Sequence, residues 1–269
     1  MTDQSRLISI FRDTLAQSEN NELLAAKTTA MVAGTVLCPE NYAAGETRQK
    51  SGKPVIAVTA DTSFSAARKE ADGKHRVAVL NFASSTRPGG GVTRGSLAQE
   101  ECLCRSSNLY AALKQPRLLE DYYIWNQIHT DKLATSAVIY SPGVTVFKSD
   151  DLFAEPQEPW FDVDVLSCAA PNLSDKLPPD EVSENELREI FEQRIRNILN
   201  VARAYDEDVL ILGAFGCGAF HNPPELVSEA FRHLLVDEGY GRYFEKIVFA
   251  IKANDERNTN LRTFQRTFG

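Results

Sequence analysis

Short apolar runs and amphipathic stretches alternate along most of this chain. Runs of β-branched and other apolar residues, which are typical of buried strands, occur at 54–59, 76–82, 136–142, 163–170, 209–215 and 246–251. Apolar residues at helical spacing predict helices over 62–71, 96–113, 183–205, 223–237 and 258–268. Strands that alternate with helices form a mixed or parallel sheet with helices on both faces. The pattern therefore predicts an α/β fold.

The first part of the chain has a different pattern. Two helices are predicted over 6–17 and 21–36, and the segment 39–54 is polar and rich in turn-forming residues. We therefore expect residues 1–53 to form an N-terminal helical arm and linker, packed on a domain that spans 54–269. Charges interrupt the apolar positions at the N-terminus, so neither a signal peptide nor a membrane span is predicted. We expect an intracellular protein, cytoplasmic or nuclear.

Composition and charge limit the kind of ligand. Among the 269 residues, 43% are hydrophobic and 25% are charged, as in an ordinary soluble globular protein. The net charge is −8 and no block of Lys and Arg stands out, so no basic surface that binds a nucleic-acid backbone is predicted. The five cysteines have no CxxC spacing, which disfavours disulfides and a zinc site: Cys38, Cys102, Cys104, Cys168 and Cys217. We expect no cofactor and no metal, and an anionic ligand would need a local site.

The first candidate site is the loop that follows the predicted strand 76–82. Three consecutive glycines at 89–91 permit positive φ and let main-chain N–H groups approach a ligand, which suits a phosphate. Ser96 and Gln99 have the spacing of a capping box, which predicts that a helix begins there. The glycine loop would then lie beside a helix N-terminus.

Two adjacent glutamates, Glu100 and Glu101, lie in the first two turns of this predicted helix. Glu100 falls on the apolar stripe, where a carboxylate is costly unless it has a partner. Acidic residues are also favoured at a helix N-terminus, and Arg105 at i+4 could pair with Glu101, so the helix alone leaves a purely structural role open. The glycine loop just before the pair favours a chemical role.

A second glycine-rich loop, GAFGCGAF at 213–220, follows the predicted strand 209–215. Asn222 suits the N-cap of the next helix and Pro223 its first position, so a second helix N-terminus is predicted beside a second glycine loop. Two such N-termini can face one diphosphate without a basic stripe, which makes an acidic protein compatible with an acidic ligand.

The sequence resembles the bacterial-type (microbial) poly(ADP-ribose) glycohydrolases, whose signature is GGG followed after a short spacer by QEE. Here seven residues separate Gly91 from Gln99, and the resemblance continues through YSPGVTVF at 140–147, SCAAPN at 167–172 and GAFGCGAFHNPP at 213–224. It implies a macrodomain, a three-layer α/β/α fold with a mixed, mostly parallel central sheet and an N-terminal helical extension. It also implies an enzyme that hydrolyses the ribose–ribose O-glycosidic bonds of poly(ADP-ribose) and so reverses ADP-ribosylation, for example in the DNA damage response.

The resemblance assigns the catalytic role to the second glutamate, Glu101. Cleavage of such a bond passes through an oxocarbenium-like transition state, so we expect Glu101 to protonate the leaving oxygen and then activate water, while Glu100 orients the ribose hydroxyls. Phe220 would stack against the adenosine, and Asp61 would either contact the adenine amine or cap the next helix. The expected substrate-binding set is Gly89, Gly90, Gly91, Val92, Gln99, Gly216, Cys217, Gly218, Ala219, Phe220, Asn81 and Asp61.

Two other functions fit the same residues. One is a macrodomain that binds ADP-ribose without hydrolysing it, and the other is a hydrolase of mono-ADP-ribosylated protein or nucleic acid. The expected partners are poly(ADP-ribose) or ADP-ribosylated macromolecules, with no membrane and no sequence-specific nucleic-acid binding, and we expect a monomer. The segment 148–160 is predicted to be a surface loop, although a lid over the site is an alternative.

Overall fold

The computed structural model describes residues 3–50, 52–129, 133–174, 182–253 and 258–269. Its strands are β1 Val36–Cys38, β2 Val55–Thr59, β3 Val77–Phe82, β4 Val138–Lys148, β5 Pro156–Cys168, β6 Val209–Leu212 and β7 Lys246–Ala250. Its α-helices are α1 Asp3–Asn20, α2 Glu22–Gly34, α3 Ser63–Glu70, α4 Gln99–Ser106, α5 Leu109–Leu113, α6 Pro116–Leu118, α7 Trp125–His129, α8 Glu184–Ala204, α9 Pro224–Arg232 and α10 Thr259–Phe268. Short 3₁₀ or π-helical segments are Val92–Arg94, Leu119–Ile124, His233–Asp237 and Tyr240–Tyr243. In this part of the chain no helix has the length and apolar content that a membrane crossing requires.

The strands form one mixed sheet in the order β1-β4-β5-β3-β6-β7-β2. The pairs from β5 through β3, β6 and β7 to β2 are parallel, whereas β1 and β4 pair antiparallel with their neighbours. Each of the six predicted strands is present, and the mixed, mostly parallel sheet is confirmed. The carboxyl ends of the parallel strands lie at one edge of the sheet, where α/β proteins bind ligands.

The sheet is buried on both faces, which makes three layers. In β3, Ala78 and Leu80 belong to a core completed by α8, α9 and α10, while Val77 and Val79 belong to a core on the opposite face that includes α3, α4 and α5. Because side chains alternate between two buried faces, β3 is apolar throughout and not alternately polar. The predicted three-layer α/β/α architecture is therefore confirmed.

The sequence pattern missed β1. Helix α2 ends at Gly34, and the predicted helix 21–36 extends two residues too far, because the chain turns at Thr35 into a three-residue strand that pairs with β4. An edge strand this short shows no readable periodicity, and its identity as a strand comes from pairing with β4.

The predicted helix 96–113 is wrong as one element. It is divided at Ser107, whose extended backbone forms a bridge with Val146 of β4. The side chain of Asn108 accepts a hydrogen bond from the N–H of Thr145 at 2.9 Å, which fixes the break. Pairing with a strand distant in sequence thus overrides helical spacing.

Helix α1 packs directly against the loop that precedes α4. Gln4 Nε2 donates to the carbonyl of Arg94 at 2.7 Å, and a Cβ on Gly95 would lie 2.6 Å from the Gln4 carbonyl oxygen. Thr14 Oγ1 donates to the carbonyl of Arg105 within α4. The N-terminal helix therefore holds both the loop before α4 and the helix α4, which carries the glutamate pair.

Candidate active site

A cleft of about 690 Å³ opens beyond the carboxyl ends of the parallel strands. Its walls come from loops that follow β2, β3, β6 and β7, with Asp150 from the β4–β5 turn and Asn260 from α10. The lining residues of these loops fall within 61–63, 82–102, 214–220 and 250–252. Both glycine-rich loops and both glutamates therefore line one cleft, as the sequence predicts.

Helix α4 begins at Gln99 with Ala98 as its N-cap residue, so the predicted capping box of Ser96 and Gln99 is wrong. The carboxylate of Glu101 reaches back instead, and its Oε2 accepts from the N–H of Ala98 at 3.0 Å. The carbonyl of Ser96 accepts from Arg105 Nη1 at 2.8 Å. Arg105 therefore holds the loop before α4 and does not pair with Glu101.

The side chain of Gln99 joins α4 to the end of β3. Its Nε2 donates to the carbonyl of Leu80 at 2.8 Å and to Ser63 Oγ at 3.0 Å, and its Oε1 accepts from the N–H of Phe82 at 2.9 Å. These three hydrogen bonds fix where α4 starts relative to the sheet, and so place the two following glutamates.

Glu101 lies in the cleft wall with both carboxylate oxygens held by main-chain donors. Oε1 accepts from the N–H of Gly91 at 2.8 Å, in addition to the bond from Ala98 to Oε2. The residue is only 7% exposed. Two N–H groups therefore orient this carboxylate before any ligand is bound.

Glu100 is buried beside it and has a different environment. Its Oε2 accepts from the N–H of Ser84 at 2.8 Å, and Asn81 Nδ2 lies 3.4 Å from its Oε1. Burial, and with it the charge of Glu101, raises the pKa of Glu100 to about 8, against the hydrogen bond from Ser84. At neutral pH most Glu100 side chains therefore keep their proton, and this carboxyl group can both donate and accept hydrogen bonds.

We expect Glu100→Gln to change how stability depends on pH. The pKa of Glu100 is about 8 when folded against an ordinary value of 4.5, so the folded chain binds more protons, and the free energy of unfolding falls as pH rises from about 4.5 to about 8. The neutral glutamine removes this decrease in the free energy of unfolding. The decrease is about 1.4 kcal/mol for each unit by which the folded and unfolded pKa values differ. Denaturant unfolding of both proteins at about pH 5 and pH 8.5 measures it. Parallel pH dependences would contradict the raised pKa.

Gly90 brings the main chain against both carboxylates. Its φ is +60°, and a Cβ built on it would lie 2.5 Å from Glu101 Oε1 and 3.0 Å from Glu100 Oε2. The N–H of Gly90 donates to the carbonyl of Arg87 at 3.0 Å, and the N–H of Gly91 is taken by Glu101. These two amides therefore hold the loop and the carboxylate together instead of facing an anion.

The opposite glycine loop offers main-chain donors to the cleft. Within the described chain, the N–H of Cys217 donates to the carbonyl of Ala214 at 3.1 Å, but the structure gives no acceptor for four neighbouring N–H groups: Gly216, Gly218, Ala219 and Phe220. All four of these residues line the cleft, and Gly216 has a positive φ of 75°. Consecutive free N–H groups in such a loop suit an anion.

Helix α9 begins at Pro224, one position later than predicted, with Pro223 as its N-cap residue. Asn222 is therefore not the cap. Its Nδ2 donates to the carbonyls of Pro171 and Gly216, at 2.8 and 3.0 Å, and so fixes the loop. The two prolines have no N–H group, and none of residues 223–226 lines the cleft, so the loop amides are the main-chain donors that this wall of the cleft offers.

Asp61 and Asp150 lie together at another wall of the cleft. The carboxylate of Asp61 is paired with Lys69 at 2.8 Å and does not cap α3. That role falls to Asp150, whose carboxylate accepts from the N–H of Phe64 at 2.8 Å and from Thr62 Oγ1 at 2.6 Å. Sequence reasoning missed Asp150, which lies in the segment 148–160, and its only signal was a pair of acidic residues in a stretch that the sequence predicts as a loop.

The structure sorts the expected site residues into two groups. Those that line the cleft are Asp61, Gly90, Gly91, Gln99, Glu100, Glu101, Gly216, Gly218, Ala219 and Phe220. Those that lie behind its surface are Asn81, Gly89, Val92 and Cys217. Asn81 and Val92 are fully buried, and Asn81 contacts Glu100 from the sheet side. In the described residues, no group of three or more His, Cys, Asp or Glu side chains is arranged to hold a metal.

Comparisons with known proteins agree with this geometry. The sequence model of the family described as "Microbial-type PARG, catalytic domain" matches residues 8–149. The crystal structure of poly(ADP-ribose) glycohydrolase from Thermomonospora curvata is 32% identical, covers 98% of this chain and 100% of its own, and has a TM-score of 0.87. The enzyme from Deinococcus radiodurans in complex with ADP-ribose is 34% identical, covers 89% of this chain and 96% of its own, and has a TM-score of 0.80.

A further structure of the Thermomonospora curvata enzyme, bound to the inhibitor ADP-HPD, has a TM-score of 0.85 at the same identity and coverage. None of the curated protein sequences matches the chain significantly. The family match covers more than half of the chain, and the structural match covers nearly all of it. The chain therefore belongs to the microbial-type poly(ADP-ribose) glycohydrolases.

Proposed function

We propose that the cleft is the active site of this poly(ADP-ribose) glycohydrolase and that Glu101 transfers the proton. The observation that carries the proposal is that both glutamates lie against Gly90, in the same cleft as the free amides of Gly216, Gly218, Ala219 and Phe220. Glu101 protonates the oxygen that leaves the anomeric carbon, and as a carboxylate it then takes a proton from the attacking water. The two main-chain N–H groups on Glu101 fix its direction through both steps.

Glu100 orients the ribose. Because its raised pKa keeps it protonated at neutral pH, its carboxyl group can both donate to and accept from ribose hydroxyls. A neutral Glu100 also leaves a single negative charge beside the oxocarbenium-like centre, which avoids repulsion between the two adjacent carboxylates.

The remaining cleft residues fit the rest of an ADP-ribose unit. The N–H groups of Gly216, Gly218, Ala219 and Phe220 bind the pyrophosphate, and the ring of Phe220 stacks against the adenosine. Asp61 contacts the adenine amine, for which it has to share its carboxylate with Lys69. Cys217 and Asn81 support the site from behind.

The substrates are poly(ADP-ribose) or ADP-ribosylated macromolecules, and the chain acts inside the cell as a monomer, with no sequence-specific hold on nucleic acid. Residues 1–53 act with the domain 54–269 and not as a free arm, which the contacts of Gln4 and Thr14 support.

A three-substrate assay tests this function. The protein is incubated with poly(ADP-ribose), with a protein that carries one ADP-ribose, and with ADP-ribosylated DNA, and free ADP-ribose is measured by chromatography. We expect release from the polymer alone. Binding of ADP-ribose with no release would indicate a binding module, and release from either single adduct would indicate a mono-ADP-ribosyl hydrolase.

A further inference from the structure

Two arginines border the glycine triplet on the glutamate side of the cleft. Arg87 precedes it and Arg94 follows it, and both are exposed and line the cleft. Neither is needed for the acid–base step or for the pyrophosphate contacts proposed above. Two cations at this position, in a protein with a net charge of −8, need a separate explanation.

The main chain of both arginines is fixed. The carbonyl of Arg87 accepts from the N–H of Gly90 at 3.0 Å, and the N–H of Arg94 donates to the carbonyl of Gly91 at 2.9 Å. The carbonyl of Arg94 is held in turn by Gln4 of α1. Both side chains therefore extend from rigid positions beside the catalytic loop.

The guanidinium groups themselves are not engaged. Within the part of the chain that the structure describes, neither Arg87 nor Arg94 has an ion pair or a side-chain hydrogen bond, whereas buried Arg105 is used to hold Ser96. Nη2 of Arg94 lies 3.4 Å from the position of a Cβ on Gly91, whose N–H binds Glu101. The Arg94 guanidinium therefore lies against the main chain of the glycine triplet, at the residue whose N–H binds Glu101.

The chemistry of a polymeric substrate accounts for these charges. Each repeat carries its own pyrophosphate, so the bond cleaved at Glu101 has one pyrophosphate on the bound unit and another on the departing unit. The loop 216–220 is already assigned to the first. A guanidinium binds phosphate oxygens through two parallel N–H groups, which suits the second.

We propose that Arg87 and Arg94 form a subsite for the pyrophosphate of the ADP-ribose unit on the leaving side of the cleaved bond. This inference rests on the proposed function, because it assumes that the bound unit places its distal ribose at Glu101. It makes the two arginines determinants of polymer binding and not of ADP-ribose binding.

Titration calorimetry with ADP-ribose and with its ribosyl-linked dimer tests the subsite, with Glu101→Gln in every protein so that the dimer stays intact. We expect Arg87→Ala/Arg94→Ala to weaken dimer binding about tenfold, as for two partly exposed charge–phosphate contacts, and to change ADP-ribose binding less than twofold. Raising the salt concentration should weaken dimer binding less in the double variant than in its parent. Arg87→Lys/Arg94→Lys should keep most of the salt dependence, because it keeps both charges.

Lys53→Ala/Lys74→Ala is the matched control. It removes the same charge from exposed positions before β2 and β3, at the opposite edge of the sheet, and should leave dimer binding unchanged. Equal loss of both ligands in the arginine variant would place these residues in the site of the bound unit, and no loss of either would remove the subsite. If Glu101→Gln impairs folding, kcat/KM for the polymer in chains that retain Glu101 gives the same comparison.

The two proposals fail separately. If the unsubstituted chain released no ADP-ribose from the polymer, the proposed function would be overturned, whatever the dimer affinities are. If the unsubstituted chain cleaved the polymer but the arginine substitutions left dimer affinity unchanged, the subsite alone would be overturned.

Discussion

Glu101→Gln is expected to lower kcat for release of ADP-ribose from poly(ADP-ribose) by about 10²- to 10⁴-fold. That is the range general acid–base groups contribute, and the amide has no proton of suitable acidity to give and cannot activate water. The amide oxygen can accept from the N–H of Gly91 or of Ala98 but not from both, so the side chain should keep one of its two bonds to the main chain. Steady-state kinetics measures the loss, and calorimetry should show ADP-ribose affinity within a few-fold of that of the parent chain.

Glu100→Gln provides the comparison for this variant. It conserves size and removes an acid that is buried in the same helix turn, but Glu101 is left to transfer the proton, so kcat should fall less than in Glu101→Gln. Because burial keeps the pKa of Glu100 near 8, a larger loss in Glu100→Gln would assign the general acid to Glu100. Near-normal turnover by Glu101→Gln would remove Glu101 from the mechanism.

Gly90→Ala is expected to lower activity by about 10²-fold although it removes no functional group. The new methyl group would lie 2.5 Å from Glu101 Oε1 and 3.0 Å from Glu100 Oε2, so both carboxylates must move. A displacement of about 1 Å in a catalytic group is enough for a loss of this size. Kinetics with the polymer measures it, and circular dichroism shows whether the chain remains folded.

Gly143→Ala separates the collision from the backbone strain. Gly143 has a φ of +63°, close to the +60° of Gly90, but a Cβ built there meets nothing within 4 Å. Both variants therefore pay a similar conformational cost, on the order of 1–2 kcal/mol, and only one disturbs the carboxylates. If the two substitutions reduced activity equally, contact between Gly90 and the glutamate pair would not be what matters.

The long helices and strands were predictable because the apolar pattern that indicates each of them lies within a short stretch of sequence. The strand at 76–82 is apolar at consecutive positions, which indicates burial on both faces, and β3 has this environment. The short strand β1 and the break at Ser107 were not predictable, because each depends on pairing with the distant strand β4. Val36 of β1 pairs with Tyr140, and Ser107 pairs with Val146.

The site residues also divide into those that local spacing predicts and those that it does not. The GGG and QEE residues are close in sequence, so their spacing indicated both the glycine loop and the glutamate pair. The role of Gln99 could not be read from spacing, since its partners Ser63, Leu80 and Phe82 come from two other elements. Asp150 was missed for the same reason, because it reaches the cleft from the β4–β5 turn.

We expect the neighbouring glutamates to contact the distal ribose while the free amides of the second glycine loop hold the pyrophosphate. A crystal structure of the Glu101→Gln chain with ADP-ribose tests it most directly. We expect the distal ribose within hydrogen-bond distance of Glu100 and of the side chain at position 101, and the pyrophosphate on the N–H groups of Gly216, Gly218, Ala219 and Phe220. ADP-ribose bound outside this cleft, or bound with its adenine against the glutamates, would contradict the account.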